Sequence, residues 1–269
     1  MKNIIVAVYK KNRIINNRAY PWSFIVQRVV AGIFALFFPL FMYYFVFGGK
    51  VSLNFQNITQ TKDYVTYIIL GNSIYILCFS TLMNVGRCMI QEIREGTWDT
   101  FLISPASRIG YFIGCYVEQF MRSLMEFAIV FICGSSLGAR IPISKCIGFI
   151  VVLLIISVSC FSMATLLSVI MVLTRDTYLT QNTIITLIGF VAGIFFPTEL
   201  LPKWLQYLGN SIPITIGIKY FRKIVLNNIS FKENIHLLLI IVLESITYFL
   251  IGICLLKKIE KKLVEEIYA

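Results

Sequence analysis

Two sets of charged residues have types and spacings that could do chemistry. Glu118, Arg122 and Glu126 recur at i, i+4 and i+8 inside an otherwise apolar run, so on a helix they share a face and can pair along it. Such a row either lines a polar route through an apolar medium or pins one helix against its neighbours. Glu92, Glu95 and Asp99 recur at i, i+3 and i+7, which on a helix over 91–103 gives one acidic stripe. That stripe either docks on an aqueous partner or keeps a loop wet. Glu244 stands alone in another apolar run, and Asn72 is a polar residue in a third, where it would serve a cavity or an interhelical hydrogen bond.

Catalysis finds little support. "FGGKVS" lacks the upstream glycine and the following hydroxyl of a phosphate-binding loop. His236 is the one histidine, so no H-E-x-x-H metal site exists and any Ser-His-Asp triad would depend on that imidazole. The seven cysteines show no C-x-x-C spacing and most fall in apolar runs, where they read as small packing residues. The sequence therefore implies neither an enzyme nor a bound metal or cofactor.

The elements that must position these residues belong to a membrane protein. The chain is 58% hydrophobic and 14% charged, well away from the composition of soluble domains. Its net charge of +11 is scattered between apolar runs rather than gathered on an aromatic-interleaved strip, which argues against nucleic acid and for anionic lipid headgroups. Spans of about 20 apolar residues are expected at 24–49, 64–86, 109–137, 146–174, 177–197 and 235–256. Six spans put both termini on one side. If that side is cytoplasmic, the inner segments carry 13 Lys and Arg against nine outside, five of the nine lying in the stretch from Pro197 to Ile235. The bias favours a cytoplasmic N-terminus, and the long outer stretch works against it. Arg28, near the inner end of the first span, can snorkel to headgroups. Residues 1–23 lack the apolar core and cleavage site of a signal peptide. With Ile4, Ile5, Val8 and Ile15 on one side, they fit a helix lying along the inner membrane surface. Of the G-x-x-x-G pairs, Gly189/Gly193 sits best within a span for close helix packing.

Two segments break the pattern. In 198–222 and just before it, Pro197, Pro202 and Pro213 interrupt any long helix, and the pieces between them are too short to span. Trp204 and neighbouring leucines form an apolar face, with Lys203, Lys219, Arg222 and Lys223 turned to headgroups or water, so half-inserted helices fit better than a free loop. In 91–104, Trp98, Phe101 and Leu102 form an apolar side, Gly96 lets the backbone bend, and Pro105 ends the segment.

"EIREGTWDTFLISPASR" resembles the cytoplasmic segment of ABC-2 type permeases, and "GIFFPTELLPKWLQYLGNSIPITIGIKYFR" is similar to that family's segment after the fifth span. The resemblance implies an all-α integral membrane fold of six transmembrane helices with an N-terminal interfacial helix, a coupling helix at 91–104 and re-entrant helices before the last span. It also implies that the coupling helix seats in a groove of a separate ATPase. Glu92, Arg94, Glu95, Gly96, Thr97, Trp98, Asp99, Phe101 and Leu102 would form that contact, Glu92, Glu95 and Asp99 by charge and Trp98 and Phe101 by packing. A smaller aliphatic residue is expected where Trp98 stands. The implied partners are two ABC ATPase subunits carrying ATP and Mg, a second permease subunit, identical or not, and membrane lipids. The implied setting is a plasma membrane, bacterial by the family's habit, with export as the activity. "YPWSFIVQR" does not match the motif usual before the first span in polysaccharide exporters, which favours a drug, antibiotic or peptide cargo over lipid-linked polysaccharide or teichoic acid. A secondary transporter would need matching broken helices in both halves, and only the region near 197–220 is broken.

Overall fold

The computed structural model describes residues 1–19, 22–105, 107–139, 146–174, 177, 179–194, 196–226 and 235–268. The side chain of Arg28, and Tyr178 and Phe195 in the expected fifth span, lie outside the described residues. Every regular element among the described residues is helical, as apolar runs in a medium without hydrogen-bonding solvent demand.

Helix α1 (Lys2–Ala19) precedes α2 (Ser23–Phe41), which continues through a π-helical turn at Met42–Val46, one turn after Pro39 removes a backbone donor. A short α3 (Leu53–Thr59) leads to α4 (Tyr64–Arg94), where Asp63 accepts from Thr66 N at 3.0 Å and satisfies a first-turn donor. Helix α5 (Trp98–Ile103) is followed by α6 (Arg108–Ser136), whose first turn is capped by Ser107. Then come α7 (Cys146–Thr174), a π-helical stretch at Leu179–Ile184, α8 (Ile185–Val191), a 3-10 turn at Thr198–Leu200, α9 (Lys203–Asn210), α10 (Pro213–Leu226) and α11 (Ile235–Tyr268).

Helix α4 is the axis of the bundle: α7, α6, α2 and α10 all pack on it, while α11 leans on α7 and α1 on α6. Of its most apolar stretch 78% is buried, against 17% for Val29–Val46 and 22% for Ile235–Lys261, so α2 and α11 stand at the periphery with their apolar sides uncovered.

Among the described residues four stretches, Val29–Val46, Tyr64–Arg94, Gly148–Thr174 and Ile235–Lys261, are long and apolar enough to cross a membrane. Two of the six expected spans do not meet that measure. Helix α6 has the length, at 29 residues, but Glu118, Arg122 and Glu126 dilute its hydropathy. In the stretch 177–197 the described helix is short: a π-helical part at Leu179–Ile184 runs into α8, which ends at Val191, and the chain turns at Gly193, whose φ is +72°. Gly193 thus comes after a helix end, whereas Gly189 does serve packing, since a Cβ there would lie 2.8 Å from Tyr75 Cε2 of α4; the pair Gly110/Gly114 serves it too. A Cβ on Gly114 would come within 2.7 Å of Val8 Cβ, so the pair lets α1 lie against α6.

The prolines behave as starts as much as breaks. Pro197 precedes the 3-10 turn, Pro202 precedes α9 and Pro213 opens α10, positions where a missing N–H costs nothing.

Candidate functional site

A polar cavity of about 510 Å³ lies between α1, α4 and α6. Each helix contributes its hydrophilic face. Three cations (Lys11, Arg87, Arg122) and three carboxylates (Glu92, Glu95, Glu118) line it, with the amides Asn12, Asn16, Asn84, Gln91 and Gln119 between them. Equal charge of both signs makes the wall a hydrated, neutral surface rather than a steering field of one sign.

Helix α1 closes one side. Its apolar residues Ile4, Ile5 and Val8 face α6, with Val8 9% exposed, whereas Ile15 is exposed and lines the cavity. Its polar residues reach inward: Asn12 contacts Cys115 Sγ at 3.3 Å and Asn16 donates to Glu118 Oε1 at 3.2 Å. Lys11 donates to Glu92 Oε1 at 2.5 Å and stands 3.8 Å from Glu95.

Glu92 is the hinge of this arrangement. It is 6% exposed, near the end of α4, and its carboxylate accepts from Lys11, from the Tyr111 hydroxyl at 2.8 Å and from Thr97 Oγ1. A buried carboxylate is tolerable when its lone pairs are filled this way. The expected acidic stripe is therefore divided. Gly96, with φ +70°, breaks the helix expected over 91–103, so Glu92 and Glu95 stay at the α4 end on the cavity wall, Glu92 buried and Glu95 exposed, while Asp99 is exposed on α5.

Helix α5 is short because of that break and is fastened to its own chain. Trp98 is 7% exposed and belongs to the main hydrophobic core, its ring 5.6 Å from that of Phe101, which in turn lies 4.8 Å from Tyr111. Leu102 packs on the same core. In this structure the apolar side of α5 is thus covered by the bundle, and the outward residues are Asp99, Thr100 and Ile103, the last 74% exposed. Arg94, at the exposed end of α4, donates to Thr177 Oγ1 at 3.0 Å.

Arg108, which sequence reasoning passed over, holds the far end of α5. Its guanidinium donates to the carbonyls of Phe101 at 2.8 Å and Leu102 at 2.9 Å, lies 4.3 Å over the Phe101 ring and pairs with Glu260 of α11 at 2.8 Å. One cation answers the orphan carbonyls of a helix C-terminus and joins three helices. An Arg one residue after a Ser N-cap was the available signal, but its partners lie seven and 152 positions away.

The polar residues expected within the spans separate. Glu118 and Arg122 pair at 2.6 Å and line the cavity, whereas Glu126 is 2% exposed and lies off its wall. Beside them runs a hydroxyl and amide seam unseen in the sequence: Gln119 donates to Ser80 at 2.7 Å and Ser123 at 3.1 Å, joining α4 to α6. Asn72 donates to the Gly32 carbonyl at 3.0 Å, an interhelical bond to α2 away from the cavity. Glu244 is half-buried on α11, also off its wall.

At the opposite end of α4, Arg222 of α10 is buried and donates to the carbonyls of Gly193 at 2.6 Å, Tyr67 at 3.3 Å and Ile194, with its guanidinium 3.6 Å over the Tyr67 ring. Gly71 makes room for it, since a Cβ there would fall 2.0 Å from Arg222 Nη2. The expectation that Arg222 faces headgroups or water is corrected: it is a buried bolt between α4, α10 and the turn after α8. By contrast Trp204 is 63% exposed on α9.

A family model described as ABC-2 type transporter matches residues 13–226, which include α4, α5, α6, the cavity lining except Lys11 and Asn12, and the Arg222 junction. No curated protein matches the chain.

Proposed function

The chain belongs to the ABC-2 type transporter family, and on that premise we propose that it is the permease subunit of an ATP-driven exporter whose ATP and Mg are handled by a separate ATPase. Two ATPase subunits and a second permease subunit complete the assembly, with both termini cytoplasmic in a bacterial plasma membrane. The six crossings are α2, α4, α6, α7, the stretch from Leu179 through α8, and α11. The segment from Thr198 to Arg222 re-enters the membrane.

The observation that carries the reading is the physical continuity between α5 and the cavity. Phe101 of α5 packs on Tyr111, Tyr111 donates to Glu92, and Glu92 holds Lys11 of α1. A push on α5 from a partner would thus reach all three walls of the cavity, α6 at Tyr111, α4 at Glu92 and α1 at Lys11, through packed rings and one buried carboxylate. Sequence resemblance assigned Glu92, Trp98, Phe101 and Leu102 to the partner; the burial of Glu92 and Trp98 and the half-burial of Phe101 and Leu102 support a role in transmission instead, with Glu95, Thr97, Asp99, Thr100 and Ile103 as the surface offered to the ATPase. The cavity, neutral in sum and wetted by amides, is where a cargo with a polar part would enter, between the Glu118–Arg122 pair and α1. A drug, antibiotic or peptide fits it better than a long lipid-linked chain, which would need an open lateral groove.

The test is co-purification in detergent of the full chain with candidate ATPase subunits. The native chain is expected to retain its ATPase, and Glu95→Lys with Asp99→Lys to release it without loss of folded permease. Tyr111→Phe should keep the ATPase bound and lose most transport. Retention of the ATPase by the reversed charges would remove α5 as the docking element.

A further inference from the structure

Five of the cations on the expected outer side fall between Pro197 and Ile235, a crowding that transport coupling at the other end of the molecule leaves unexplained. The structure gathers three of them, Lys219, Arg222 and Lys223 of α10, around a second cavity of about 260 Å³. It also touches Tyr67 in the first turns of α4 and Thr198 and Glu199 of the 3-10 turn. Helix α4 has 31 residues, so this cavity lies about 45 Å from α5, at the opposite membrane surface.

Charge and unmet hydrogen bonding agree about what would fit. Three cations stand against one carboxylate, Glu199, whose Oε1 lies 3.3 Å from Lys219 Nζ. Lys219 also donates to Asn210 Oδ1 at 3.1 Å, and Lys223 is exposed. Two polar atoms of the lining side chains, Arg222 Nε and Thr198 Oγ1, are buried without a hydrogen bond, although Arg222 and Thr198 are only 7% and 3% exposed. Orphaned buried donors are uncommon because each costs a lost hydrogen bond. The volume accommodates a headgroup, not a drug-sized ligand, whose pockets begin at about 300 Å³.

We propose that this cavity is a binding site for a phosphate group, supplied by an anionic phospholipid headgroup or by free phosphate. Lys219 and Lys223 supply mobile charge and Arg222 a fixed cationic floor. Glu199 competes with the ligand for Lys219. The site is independent of the exporter reading, since it uses no residue of α5 or of the first cavity.

The experiment is native mass spectrometry of the delipidated full-length chain, titrated with dioleoylphosphatidylglycerol, with dioleoylglycerol as the same lipid lacking phosphate, and with inorganic phosphate. Phosphatidylglycerol should bind at least tenfold more tightly than dioleoylglycerol. Lys219→Gln with Lys223→Gln should weaken it about thirtyfold, at about fivefold per lysine near a membrane surface, with the unfolding temperature unchanged. Glu199→Gln should tighten it, a sign that a merely structural role would not produce, and it decides the matter should the double variant fail to fold. Displacement of the lipid by inorganic phosphate would identify a site for the phosphate group alone; resistance to it would identify a lipid site. Equal binding of dioleoylglycerol, indifference to the lysine changes in a folded chain, or no tightening in Glu199→Gln overturns the proposal.

Discussion

A buried charge sits at each end of helix α4, Glu92 of its own and Arg222 of α10, and the two are answered differently. At the α5 end the carboxylate of Glu92 meets a counter-ion, Lys11, whose side chain is 38% exposed on α1. At the far end the guanidinium of Arg222 meets the carbonyls of Gly193, Ile194 and Tyr67, with no ion pair among the described residues. The lysine end of that pair reaches water, and Tyr111 and Thr97 still donate to Glu92 when the lysine lets go, so the contact costs less to break than one closed in on both sides. Backbone carbonyls cannot leave, so the Arg222 contacts break only if the chain there unfolds. One end of the axis is built to rearrange and the other to stay, which is the division of labour a lever needs.

The largest effects should come from attacking the fixed end. Arg222→Met leaves three carbonyls without donors in a buried place and removes the stacking on Tyr67, so a loss of about 3–5 kcal/mol is expected, read as the midpoint of unfolding in mixed detergent. Arg222→Lys should recover only part of it, since one ammonium cannot reproduce a planar fork serving several acceptors. Gly71→Ala attacks the same junction from α4: its Cβ would meet Arg222 Nη2 at 2.0 Å and the Ile194 carbonyl at 2.5 Å, and overpacking of this kind costs about 1–3 kcal/mol. The two changes share a partner, so their sum should exceed the effect of the double variant. A chain with Arg222→Met that unfolds like the native one would erase the comparison.

The exchangeable end should give a smaller thermodynamic effect and a larger dynamic one. Lys11→Met removes one of three donors to Glu92 and leaves Tyr111 and Thr97 in place. About 1–3 kcal/mol of stability is expected to go, less than at Arg222 because two donors to the buried carboxylate remain. Amide exchange along α1 should rise severalfold, because its remaining polar ties are Asn12 and Asn16. Unchanged exchange in α1 would mean that its apolar packing on α6 alone holds it, and that Lys11 is no latch.

Why one end was readable in advance and the other was not follows from the range of the contacts. Hydropathy is a local property, so the all-helical membrane class, the four strongest apolar runs and the segmented stretch opened by Pro202 and Pro213 were legible. Local spacing also identified the apolar side of α5 correctly through Trp98, Phe101 and Leu102. It could not say what covers that side, and the sequence reading gave it to a partner where the structure gives it to α6 and the core. The acidic stripe failed at one residue: Gly96 at φ +70° rotates everything after it relative to Glu92. Lys11 lies 81 positions from Glu92 and Arg222 155 from Tyr67, separations over which a single sequence holds no signal. Arg222 therefore read as one more interfacial cation, by the same logic that suits Lys223.

The smallest expected effect probes whether α11 belongs to the movable end. Arg108 makes two kinds of contact: to the carbonyls of Phe101 and Leu102, and to the carboxylate of Glu260, which is 18% exposed along its side chain. Glu260→Gln should therefore cost only a few tenths to about 1 kcal/mol, since the amide keeps an acceptor for Arg108 and only the charge is lost. Arg108→Gln should cost more, because the C-terminal carbonyls of α5 lose their donor and the ring of Phe101 its cation. If α5 transmits force mainly through Phe101 and Tyr111, transport should survive Glu260→Gln nearly intact and fall about tenfold or more in Arg108→Gln. Equal losses in both would place α11 in the transmission beside α4 and α6, so that the lever has two arms. An intact Arg108→Gln would instead show that the buried face of Trp98 suffices to seat α5 by itself.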